Sequence, residues 1–139
     1  MSILGRKVSV KAVMALAVCL IVGALIPAMS KTPSREITLV AKDMAFYLES
    51  DPATPNPAIE VRPGETVRVV LRNDERGMTH DFVVPSLRGT RTDLLDWKEQ
   101  GSVTFTAPDR PGTYEYICEP HRQMMRGLIQ VTSGQVTSR

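Results

Sequence analysis

Cys118, His121, Met124 and Met125 crowd into one short run, Tyr116-Ile117-Cys118-Glu119-Pro120-His121-Arg122-Gln123-Met124-Met125-Arg126-Gly127. A thiolate, an imidazole and a thioether on one loop are the donors that suit copper in both of its common oxidation states, soft sulfur favouring Cu(I) and nitrogen favouring Cu(II). The chain has two histidines, and the other, His80, lies 38 residues before Cys118 in Gly77-Met78-Thr79-His80-Asp81-Phe82. Two imidazoles and one thiolate would complete a trigonal copper plane with a methionine as weak axial ligand. Zinc also accepts two His and one Cys; a thiolate-to-metal absorption band, absent with zinc, separates the two.

Such a site needs a fold that carries His80 to the loop. Glu36 to Leu48 mixes alternating apolar and β-branched positions with a break at Lys42-Asp43, and the proline-rich run Asp51 to Pro57 must be a loop. Ile59 to Val61 reads as a short strand and Pro63-Gly64 as a turn. From Thr66 to Asn73, Val67, Val69 and Leu71 alternate with Arg68, Val70 and Arg72, the period of a strand with one buried face. Further strands are expected at His80 to Val84, Ser102 to Thr106, Thr113 to Cys118 and Leu128 to Val131, with a short helical turn around Thr92 to Lys98. Seven or eight short strands between turns, without a sustained helical period, predict an all-β antiparallel β-sandwich. The candidate ligand loop then joins the last two strands.

Residues 1–30 hold Arg6, Lys7 and Lys11, no acidic residue, and an apolar run from Ala12 that ends at Ala28-Met29-Ser30. This pattern predicts a signal peptide cut after Ser30, with an uncleaved membrane anchor as the alternative, because 18 apolar residues approach the roughly 20 that span a bilayer. Residues 31–139 then form one domain of 109 residues in which fourteen basic residues face fifteen acidic ones. A net charge of −1 offers no clustered basic surface for nucleic acid. Cys19 leaves with the signal, so Cys118 has no partner for an internal disulfide. A free thiol in an oxidising compartment is protected if a metal occupies it.

On these residues the chain resembles the cupredoxins of the plastocyanin, amicyanin and azurin type. The resemblance runs over roughly residues 36 to 132 and rests on Asn73 with His80-Asp81-Phe82, on Pro63-Gly64-Glu65-Thr66-Val67, on Gly112-Thr113-Tyr114-Glu115-Tyr116 and on the loop itself. It implies a Greek-key sandwich holding one type 1 copper ion, with His80, Cys118 and His121 as equatorial ligands. Counted from His121, Met124 has the amicyanin spacing and Met125 the azurin spacing. In the family the ligand methionine sits two residues before a glycine that opens the last strand, and Met125-Arg126-Gly127 reproduces this, which favours Met125. Asp81 departs from the asparagine that many members carry after the first histidine. A carboxylate there can accept but not donate hydrogen bonds, and its charge is expected to lower the reduction potential.

The function so implied is a periplasmic or otherwise extracytoplasmic, non-enzymatic, monomeric carrier of single electrons between redox proteins such as cytochromes or a terminal oxidase. It touches a membrane only if the N-terminal segment stays uncleaved. The alternative is a copper chaperone that delivers the metal to an oxidase, against which the placed thiolate of Cys118 argues. Arg122 and Arg126 flank His121 and are expected to form a small positive rim.

Overall fold

The computed structural model describes residues 32–134. The expected signal peptide or anchor, and Cys19, lie outside the described residues. Seven strands form: β1 (Arg35–Lys42), β2 (Ala45–Leu48), β3 (Ile59–Val61), β4 (Thr66–Asn73), β5 (Gln100–Thr106), β6 (Gly112–Ile117) and β7 (Arg126–Val131). They pair as a four-stranded sheet in the order β2-β1-β4-β5 and a three-stranded sheet in the order β3-β7-β6. The break expected at Lys42-Asp43 is a tight reversal, with Asp43 and Met44 both at positive φ (51° and 56°).

Alternation supplies the core. Val67, Val69 and Leu71 of β4 are fully buried together with Leu39 and Ala41 of β1 and Phe46 of β2. They pack in one cluster with Ile59 and Val61 of β3, Ile129 and Val131 of β7 and Tyr116 of β6. Burying each such side chain contributes about 1.5–3 kcal/mol, so the seam between the sheets is the main source of stability.

The sheets are mixed. Two of the five strand pairings, β1 with β4 and β3 with β7, are parallel, and each joins strands that are not neighbours in sequence. Alternation within a strand reports which face is buried and carries no information on the direction of the neighbour.

The segment His80 to Val84 is extended but forms only isolated bridges. Its backbone hydrogen bonds are divided between two segments, residues 90–95 on one side and Ile117 on the other. His80 exchanges both bonds with Leu95 (3.0 and 2.8 Å), whereas Val83 exchanges both with Ile117 (2.9 Å each). Between them the Phe82 amide donates to the Thr92 hydroxyl at 3.0 Å, a side chain standing in for a ladder carbonyl. The helical turn expected around Thr92 to Lys98 is absent: Thr92 to Leu95 run alongside 80–84, and Asp96 to Glu99 close a single turn, the Glu99 amide donating to the Asp96 carbonyl at 3.0 Å. This clamp sets His80 beside the end of β6, where Cys118 emerges.

Candidate metal centre

Cys118 is the first residue after β6 and Met125 the last before β7, and the Cys118 amide donates to the Met125 carbonyl at 3.0 Å. The loop is thereby closed at its neck. Inside it the amides of Met124 and Met125 both donate to the His121 carbonyl at 2.9 Å. This winds the loop tightly enough to turn the His121 ring back over Cys118. Two outside bonds fix it further: Asn56 Nδ2 donates to the Met124 carbonyl at 3.0 Å, and the Glu119 amide donates to Asp81 Oδ1 at 2.7 Å. Asn56 also accepts from the Phe46 amide at 3.1 Å and holds φ at 48°, a conformation that asparagine tolerates better than most residues.

The three equatorial candidates meet. Cys118 Sγ lies 3.6 Å from His80 Nδ1 and 3.5 Å from His121 Nδ1, and the donor atoms of all three residues lie within 4.8 Å of one another. An ion bonded to sulfur at about 2.3 Å and to nitrogen at about 2.0–2.1 Å gives a sulfur-to-nitrogen edge of about 3.6 Å at a tetrahedral angle and about 3.8 Å at a trigonal one. The two edges therefore fit a single ion of this size, and the donor types decide which ion.

Met125 is fully buried in the core cluster, whereas Met124 is 57% exposed. That separates the two methionines in the direction the glycine register indicated. The reason for the register is steric. Gly127 pairs with Tyr116 across β6 and β7, and a Cβ at Gly127 would strike the Tyr116 ring. Only glycine lets that ring lie flat under the loop, its hydroxyl donating to the Pro57 carbonyl at 2.6 Å. A buried thioether beside one thiolate and two imidazoles is the set that copper takes, while zinc sites use Cys, His and carboxylates.

Burial pushes the Cys118 thiol up to about 11, so the metal-free protein carries a neutral thiol at pH 7 and must release its proton on metal binding. Burial also pulls His80 below the usual histidine range, opposed by its hydrogen bond to Glu75. The two histidines differ in access: His80 is fully buried, whereas His121 is half-buried. No protein partner holds Nε2 of His121 among the described residues.

Asp81 is buried and joins the two ligand segments, as the asparagine of the resemblance would, but through an accepted bond alone. Its other oxygen lies 3.4 Å from Arg91 Nη2, and the same guanidinium reaches Glu119 at 2.7 Å. Arg91 therefore offsets much of the charge that was expected to act on the metal. The positive rim is smaller than expected too, because Arg126 pairs with Glu115 at 2.6 Å and leaves Arg122 as the cation beside His121. Three residues that hold the site, Asn56, Glu75 and Arg91, gave no sign of it in the sequence; each stands in a polar stretch that reads as solvated loop.

No curated protein sequence matches the chain. Among solved structures, auracyanin B superposes with a TM-score of 0.59 at 24% identity, over 75% of this chain and 93% of that one. Auracyanin A, a blue copper protein from the green thermophilic photosynthetic bacterium Chloroflexus aurantiacus, gives 0.57 at 22% identity, over 70% and 98%. Rusticyanin gives 0.55 at 22% identity, over 73% and 80%. At these identities the likeness is one of fold. A family model described as copper binding proteins of the plastocyanin/azurin family matches residues 41–132. With His80, Cys118, His121 and Met125 arranged as a type 1 copper site on that fold, copper is the cofactor, and the chain belongs to the plastocyanin/azurin family of copper-binding proteins.

Proposed function

We propose that this protein is an exported, mononuclear type 1 copper protein that passes single electrons between redox proteins. The observation that carries the reading is the convergence of Cys118 Sγ on Nδ1 of both histidines, at 3.6 and 3.5 Å, beside a buried Met125. His80, Cys118 and His121 are the equatorial ligands and Met125 the axial one. Bound there, copper supplies a one-electron couple between Cu(I) and Cu(II).

The residues divide the remaining work. His80 is buried and anchors the ion from the sheet side. His121 presents its outer ring edge at the surface and is the exit for the electron. Met124 extends the apolar surface beside it, a soft side chain suited to brief docking. Arg122 adds one positive charge to that face, felt over about 8–10 Å at physiological salt. The partner is a redox protein such as a cytochrome or a terminal oxidase. A carrier is favoured over a copper enzyme because His80 and His121 are the chain's only histidines, leaving none for a second copper. Export to the periplasm or another extracytoplasmic compartment, with or without a retained membrane tether, is supported by the basic start and apolar run of residues 1–30, and the bound metal would protect the lone Cys118 there.

A visible spectrum tests the core of the reading. Addition of Cu(II) to the purified protein should produce an intense thiolate-to-copper band that bleaches on reduction and returns on oxidation. A colourless protein that binds Cu(I) alone would instead point to copper delivery, and absence of any band would refute the assigned site.

A further inference from the structure

The two nitrogens of His80 have separate tasks. Nδ1 faces Cys118, whereas Nε2 lies 3.0 Å from Oε2 of Glu75. With Nδ1 facing the thiol side, the ring proton belongs on Nε2, where it is donated to the carboxylate. Glu75 is itself held in place. The same Oε2 accepts from the Met44 amide at 3.1 Å, and the Glu75 amide donates to Asn73 Oδ1 at 2.8 Å. Asn73, fully buried, donates in turn to the carbonyls of Met78 and Leu95, the segments that bracket His80. The carboxylate is therefore built into the frame and does not reach the ring from a free loop.

Its charge also differs from that of the other carboxylate near the site. Asp81 faces Arg91, whereas Glu75 has no Lys or Arg within 4 Å, and among the described residues its carboxylate accepts from the neutral His80 ring and the Met44 amide alone. A carboxylate accepting from a metal-binding imidazole raises the basicity of the ring and fixes its tautomer and orientation. A more basic, more negative ligand system stabilises Cu(II) over Cu(I).

The geometry points to Glu75 as a positioning residue that holds His80 in its Nε2–H tautomer and lowers the reduction potential of the copper centre. This rests on the assignment of His80 as a copper ligand. Removing such a partner typically costs 10- to 100-fold in metal affinity. Where the loss falls on Cu(II), the lower end is a tenfold change in the ratio of the two affinities, or about 59 mV for one electron.

Glu75→Gln keeps an oxygen for the Met44 amide and for His80 while deleting the charge. The experiment compares the wild type and Glu75→Gln by voltammetry, by visible spectrum and by copper-free unfolding, and reads the His80 tautomer by nitrogen NMR in the copper-free wild type. The expected result is two blue proteins, with Glu75→Gln higher in potential by about 59 mV and the wild-type His80 proton on Nε2. Equal potentials in two blue proteins would overturn the role of Glu75 and leave the copper site standing, even if the unfolding midpoint moved. A wild-type proton on Nδ1 would overturn it whether or not the variant folds. A colourless wild type would sink the assignment of His80 itself.

Discussion

Gly127→Ala tests the steric reason for the loop's register. The added methyl carbon would lie 2.6 Å from Cε1 of Tyr116 and closer still to Cζ and Oη. The ring has nowhere to go: it is fully buried, stacked on Phe82 at 5.3 Å and edge-on to Phe46 at 5.4 Å, with its hydroxyl bonded to Pro57. Overpacking of this kind costs about 1–3 kcal/mol. Displacing the ring also breaks a buried hydrogen bond, at about 1–3 kcal/mol. Gly127 is not among the positive-φ residues, so alanine fits its backbone and returns about 0.5–1 kcal/mol by its lower unfolded-state entropy. The net loss is about 3 kcal/mol. For a domain of this size that lowers the melting temperature by about 12–24 °C.

Urea unfolding of the copper-free protein measures the loss without a contribution from the metal, and an unchanged m-value would show that the denatured state is unaffected. Tyr116→Phe supplies the second edge of a double-mutant cycle. Phenylalanine removes the Oη that the methyl would strike, so the double variant should be less destabilised than the two singles combined, by at least about 0.5 kcal/mol. A Gly127→Ala variant within 0.5 kcal/mol of wild type, or strict additivity with Tyr116→Phe, would refute the reasoning.

Three further outcomes follow from the site. Met125→Leu, nearly volume-conserving, should keep the blue band and raise the potential by at least about 59 mV, a tenfold change in relative affinity, while Met124→Leu leaves it unchanged; voltammetry showing the reverse pattern would exchange their roles. Asp81→Asn should raise the potential by less than Glu75→Gln does, because Arg91 already offsets the Asp81 charge; an unchanged or lower value would remove Asp81 from the determinants of potential. With its pKa pushed up to about 11, the Cys118 thiol of the copper-free protein should react with a disulfide reagent far more slowly at pH 7 than after unfolding. Its folded pKa exceeds the unfolded one, so the copper-free protein should also lose stability as the pH rises from about 9 towards 11; fast labelling at pH 7 together with a flat profile would refute the burial argument.

The strands were readable because each has one buried face. Thr66 to Asn73 has Val67, Val69 and Leu71 inward and Arg68 and Arg72 on the other face, where Val70 is covered as well, and the observed bounds match the sequence reading. The ligand residues were readable because Cys, His and Met carry their chemistry in their identity. Direction of pairing was not, since Ile59 to Val61 has the same alternation whether β7 runs parallel or antiparallel to it. The segment His80 to Val84 was expected as a strand and is extended, yet its two partners and the Thr92 hydroxyl break the ladder. Glu75 was invisible for a different reason. Asp74-Glu75-Arg76 reads as a solvated turn, and only the fold of Asn73 and the reversal at Met44 brings its carboxylate to the ring of His80.

The bonds that shape the site spare the ligand atoms. Cys118 to Met125, Asn56 to Met124 and Glu119 to Asp81 all run through backbone or supporting groups, so Sγ, both Nδ1 atoms and the thioether remain available to the ion. A frame of this kind persists without metal, unlike a zinc finger, whose fold is supplied by binding. It therefore imposes its geometry on either oxidation state, and little needs to move when the charge changes. The two histidines complete the logic by being unlike each other. Full burial and the Glu75 bond make His80 the fixed side of the centre, and the unpartnered outer edge of His121 makes it the open side. On the proposed role, an electron that leaves through His121 requires the other three ligands to stay where they are, and the hydrogen bonds are distributed accordingly.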